Sequence, residues 1–102
     1  MPLQHFFAKL LPPRTTFADD MTDDEVKVMK EHQAYTQGHL DAGRVLLYGP
    51  VRDPRGIFGI AILAVENEAE ARALMDKDPS VAGGLNTYEL HPMRVGGARA
   101  LG

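Results

Sequence analysis

Apolar and polar positions alternate with different periods along this chain, and one run has no polar side chain at all. Ile57-Phe58-Gly59-Ile60-Ala61-Ile62-Leu63-Ala64-Val65 is too short and too rich in Ile and Val for a surface helix. It predicts a strand that is apolar on both faces. Strand geometry sends Ile57, Gly59, Ala61, Leu63 and Val65 one way, and Phe58, Ile60, Ile62 and Ala64 the other. Both faces need a cover. The rest of the sequence offers two good helices, enough for one face of a small sheet. The other face is expected to meet a second copy of the same sheet.

The flanking segments supply the remaining elements. Gln4–Leu11 predicts a first strand, ended by Pro12-Pro13, and Arg14–Met21 a loop. Thr22 with Glu25 forms a capping box, and Asp23 and Asp24 suit the positive end of a helix that runs to about Ala42, with Gly43 past its end. Arg44–Val51 predicts a second strand. Asp53-Pro54-Arg55-Gly56 has the chemistry of a turn and joins it to Ile57–Val65 as a hairpin. Asn67 with Glu70 starts a second helix over Glu68 to about Lys77, which Asp78-Pro79 breaks; Pro79 opens a further short turn capped by Asp78. Ala82-Gly83-Gly84 is a connection and Thr87–Met93 a last strand. The order β-α-β-β-α-β predicts an α+β fold of ferredoxin-like type, an antiparallel sheet with both helices on one face. Pairing through the open face makes it a dimeric α+β barrel.

Composition narrows the function classes. At 102 residues the chain is one domain over residues 1–95, with a flexible Gly- and Ala-rich tail over 96–102. The net charge is −3 and no basic stripe is present, which argues against nucleic acid as a partner. No apolar run reaches the ~18 residues of a membrane span. Met1-Pro2-Leu3-Gln4-His5 lacks the basic-then-apolar form of a signal peptide. The absence of cysteine excludes disulfides, thiolate metal sites and a cysteine nucleophile, and fits a cytoplasmic address.

Two residues carry the candidate chemistry. On the first helix, Val26, Val28, Met29, Tyr35 and Leu40 share an arc, and His32 lies inside it, with Thr36 and His39 near. A histidine there points at the sheet. Two readings are open: a core histidine with one satisfied nitrogen, or an imidazole at the edge of a cleft, suited to proton transfer near neutrality. On the second helix Ala71, Leu74, Met75 and Asp78 share a face. An acid at the end of an apolar stripe needs a partner. The backbone of the Pro79 turn is one; a cation or imidazole is the other, with Asp78 fixing the tautomer of His32. The two are compatible, because a carboxylate has two oxygens. Arg14 in the long loop either meets an anionic substrate or stays solvated. His5 and His91 fall on the first and last strands, and His32 and His39 are two turns apart. No metal-ligand spacing, nucleophile elbow or phosphate-cradling glycine loop appears, so no metal and no cofactor are expected.

His32 with Tyr35 three residues on, Leu40, Gly43, Gly49-Pro50, Gly59, Glu70-Ala71, Asp78-Pro79, Gly83, and Glu89 with Pro92 together resemble the pattern of YciI-like (YCII-related) proteins. The resemblance runs from about His5 to Met93. It implies the dimeric α+β barrel, and a helix histidine and Asp-Pro aspartate, here His32 and Asp78, that face each other in a cleft as a catalytic pair. Ser80 departs from the pattern, which often has an aromatic residue there, and this changes the expected wall of the pocket. One characterised relative removes HCl from a chlorinated hydroxyquinol, and muconolactone isomerases share the barrel. The resemblance therefore implies a cofactor-independent lyase- or isomerase-type enzyme acting on a small oxygenated cyclic compound. His32 and Asp78 would act as the dyad, with Tyr35, Arg14 and Ser80 against the substrate. A non-catalytic small-molecule-binding dimer and a haem- or oxygen-handling barrel with His32 as axial ligand are the alternatives.

Overall fold

A computed structural model describes residues 2–101. Four strands, β1 (Gln4–Leu11), β2 (Val45–Val51), β3 (Phe58–Val65) and β4 (Thr87–Met93), form one antiparallel sheet in the order β2-β3-β1-β4. Four helices, α1 (Phe17–Asp20), α2 (Asp23–Asp41), α3 (Glu68–Asp76) and α4 (Pro79–Ala82), complete the α+β, ferredoxin-like fold. The capping box of Thr22 and Glu25 is made in both directions, Asn67 caps α3, and Asp78 caps α4, each side chain accepting a backbone N–H left free by the helix start. Gly43 closes α2 with φ 85°, a conformation that other residues adopt only under strain.

Two segments differ from expectation. Residues 17–20 form the short helix α1 inside the predicted loop: the amides of Asp19 and Asp20 bond the Thr16 carbonyl, and Phe17 is buried. A single apolar residue in a polar segment gives no period to read, so its burial was not visible beforehand. In β2 the register shifts between Val45 and Leu47, and Leu46 bulges outward.

Register fixes the two faces of the sheet. The pairs Phe6↔Leu63, Ala8↔Ala61 and Leu10↔Gly59 point toward the helices; Phe7↔Ile62 and Lys9↔Ile60 point the other way. Leu47, paired with Ile62, joins Phe7, Ile60 and Ile62 on that open face. Toward β4 the open face becomes polar, with Lys9 beside Glu89 and Phe7 stacked on His91. Under α3 the sheet is tightly covered: Ala71, Leu74 and Met75 pack with Phe6, Val45, Leu63 and Val65 into the core. Under α2 it is not. Thr36 is the one buried residue of that helix. The sheet floor beneath it is built of Ala8, Gly59 and Ala61, whose small side chains leave space where larger ones would meet the helix.

Candidate active site

That space is a cavity of about 390 Å³. The sheet forms its floor, and Met29, His32, Tyr35 and Thr36 of α2 its roof. Phe17 and Ile57 line it from α1 and the β2–β3 hairpin; Leu74, Asp78 and Asn86 line it from α3, the start of α4 and the start of β4. A Cβ at Gly59 would stand 3.4 Å from Leu10 Cβ, so this position keeps the floor open. Among the described residues, no lysine or arginine lines the cavity.

His32 and Asp78 meet here. His32 Nδ1 lies 2.6 Å from Asp78 Oδ2, and the ring N–H donates to the carboxylate. The other oxygen, Oδ1, accepts from both Ser80 N and Ser80 Oγ at 2.8 Å each. Both partners proposed for Asp78 from the sequence are therefore present, one on each oxygen. Only 3% of Asp78 is exposed, whereas the His32 side chain keeps 20%. Among the described residues, no protein group bonds His32 Nε2. The carboxylate thus holds one edge of the ring and leaves the other edge available at the cavity.

Burial pushes the Asp78 carboxyl up, but His32 and the two donors of Ser80 outweigh it and hold the carboxyl below the usual carboxylate range. A carboxyl lowered in this way adds stability that is fully present above its unfolded pKa and is lost as pH falls through the lower folded value. Wild type is accordingly expected to lose stability more steeply than Asp78→Asn below about pH 4. Urea unfolding at a series of acid pH values checks this; parallel curves would mean that the Asp78 charge is not held by its partners.

The remaining expected site residues take other places. Tyr35 lines the cavity, but its hydroxyl proton is donated to the Leu74 carbonyl at 2.6 Å, tying α2 to α3. Burial, then the Asp78 charge, raises its pKa, so the phenol stays protonated at neutral pH. Arg14 does not line the cavity. Its guanidinium forms a two-pronged pair with Glu25 at 2.8 and 2.9 Å and also bonds Asp20, fastening the residue 14–20 segment to the start of α2. The arginine pulls the Glu25 carboxyl down to about 2. Two carboxylates close by in sequence compete with any outside anion for this side chain. Ser80 is fully buried and away from the cavity wall, where it bonds Asp78 in place of lining the pocket. His39 turns to Arg44, whose Nε donates to its Nδ1 at 2.8 Å. Among the described residues, no three potential metal ligands cluster.

Two cavity residues were not singled out by the sequence. Thr36 donates its hydroxyl to the His32 carbonyl at 3.0 Å. Asn86, 3% exposed, gives its Nδ2 only a weak contact to Met29 Sδ at 3.4 Å, and its Oδ1 is buried with no donor. An acceptor buried in this way costs about 1–3 kcal/mol. An asparagine two residues past Gly83-Gly84 reads as a turn residue, and nothing local marks it as part of a cavity.

The YCII-related domain model matches residues 7–94. The chain belongs to the YCII-related family. The match spans both members of the His32–Asp78 pair and runs from within β1 through the end of β4. No curated protein matches the chain closely enough to lend this family member an activity.

Proposed function

We propose that this YCII-related protein is a cofactor-independent enzyme that moves a proton on a small oxygenated cyclic compound held in the cavity between α2 and the sheet. The observation that carries the reading is the 2.6 Å His32–Asp78 bond, with Asp78 locked from behind by Ser80. Asp78 holds the Nδ1–H tautomer, so the Nε2 lone pair is the base. It takes a proton from carbon or oxygen of the ligand, and the imidazolium that forms is stabilised by the buried carboxylate. In an elimination the electron pair of the broken C–H bond forms the new double bond as the leaving group departs from the neighbouring carbon. In an isomerisation the same nitrogen returns the proton to a different carbon. Tyr35, whose hydroxyl proton is taken up by Leu74, serves as wall and brace.

The proposal includes a symmetric pair of chains joined through the open sheet face, where Phe7, Ile60, Ile62 and Leu47 lie uncovered by any helix. Such a pair closes the sheets into the dimeric barrel.

The direct test is the tautomer of His32, read from long-range ¹H–¹⁵N couplings of the ring at a pH where it is neutral. Expected is Nδ1–H, the minority form of a free imidazole. Nε2–H in the wild type would remove the base from the cavity and end the catalytic reading. The chain would then be a binding dimer that uses the same cavity.

A further inference from the structure

The cavity has an unusual inventory of polar groups, and most are already committed. Tyr35 and Thr36 spend their hydroxyl protons on backbone carbonyls. Asp78 spends one oxygen on His32 and the other on Ser80. His32 Nε2, the amide of Asn86 and, at the exposed rim, the amide of Gln33 remain, and of the two amides only that of Asn86 is buried. The lining from the sheet, from Phe17 and from Leu74 is otherwise apolar, save for the Tyr48 hydroxyl, whose proton is donated to Gln37 Oε1.

Charge is equally one-sided. Among the described residues, the carboxylate of Asp78 is the one buried charge at the cavity, and Arg14 lies outside the lining, paired with Glu25 and Asp20. When His32 takes up a proton, its positive charge faces Asp78 and is neutralised there. A ligand that carried its own negative charge would enter an apolar space beside a carboxylate, with no cation among the lining residues to offset it.

We propose that the cavity selects an uncharged, ring-sized molecule that presents a hydroxyl or N–H to Asn86, and that it rejects carboxylates and phosphates. Asn86 is the specificity residue. Its terminal torsion has a broad well, so the amide turns to bring Oδ1 onto a ligand donor. The buried acceptor without a partner in the empty cavity is then paired in the complex. This rests on the reading of the cavity as a ligand site, but it does not depend on His32 acting as a base.

Four small probes test it at neutral pH: phenol, toluene, benzamide and benzoate, each titrated against the dissolved protein and followed by amide shifts of the cavity residues. Phenol and toluene differ by one hydroxyl in place of a methyl. In Asn86→Leu the phenol-to-toluene affinity ratio is expected to fall about tenfold relative to wild type, the effect of one buried hydrogen bond. The melting temperature should hold or rise, because an unpaired buried acceptor has been removed. Asn86→Ser serves the same comparison if the leucine variant does not fold. In wild type alone, benzamide should bind at least about tenfold more tightly than its charged counterpart benzoate. An unchanged phenol-to-toluene ratio would make Asn86 a structural residue. Benzoate binding as well as benzamide would overturn the charge selection. Either failure leaves the cavity as a ligand site. No binding by any of the four would remove the ligand site itself, and the proposed enzyme with it.

Discussion

In the proposed sheet-to-sheet dimer, Ile62→Asp is expected to give a monomer or an aggregate. Ile62 lies on the open face between Phe7 of β1 and Leu47 of β2, in the middle of the apolar half of that face. A carboxylate there is tolerated by an isolated sheet, because the face is then wet. It is not tolerated in a paired one, where an unpartnered buried charge costs several kcal/mol. Ile60→Asp, one pleat along on the same face and beside Lys9, tests the same surface. Sedimentation at micromolar concentration should give about twice 11.2 kDa for wild type and the monomer mass for a soluble variant. A wild-type monomer would remove the barrel, and with it the reason for apolar residues on both faces of β3.

His32→Ala is expected to lower turnover by ~10²–10⁴-fold, the range for loss of a positioned general base, with the oligomeric state of wild type unchanged. The variant leaves Asp78 Oδ2 without its partner, so a melting temperature must accompany the rate. Loss of that partner is itself expected to lower the melting temperature; as long as the variant stays folded at the assay temperature, the lost rate reports the lost base. Added imidazole should restore part of the activity of the alanine variant, since the vacated space borders a cavity that admits small molecules. A substrate is found by screening hydroxyquinols and lactones, the compounds to which the family resemblance points. Full activity of His32→Ala on such a compound would leave the cavity a binding or proximity device without a His32 base.

The experiments separate because the site is layered. In the proposed mechanism His32 meets the ligand; Asp78 holds His32, and Ser80 holds Asp78. Ser80→Ala removes one of two bonds to Asp78 Oδ1 and leaves the backbone N–H in place, so it is the mildest probe of the chain.

The sequence by itself determined the order of elements apart from α1, the two-faced character of Ile57–Val65, and the capping of α2 and α3, because each is a local matter of period or of neighbouring polar groups. It also placed His32 and Asp78 on inward-facing stripes, and the two oxygens of Asp78 satisfy both the cap and the imidazole. Tertiary structure decided what those stripes enclose. The cavity arises because Ala8 of β1 and Gly59 and Ala61 of β3, from two strands far apart in sequence, lie side by side on the same face beneath α2, and a gap between distant segments has no local signature. The same holds for Asn86, which becomes a cavity residue only when β4 is laid beside β1. Arg14 and Ser80 differ: the family resemblance sets both against a substrate, but each is bound to carboxylates near it in sequence, Ser80 to Asp78 two residues before it and Arg14 to Asp20 and Glu25. Periodicity tells a side chain which way to point, but only the packed elements determine whether it meets space, a partner or another charge.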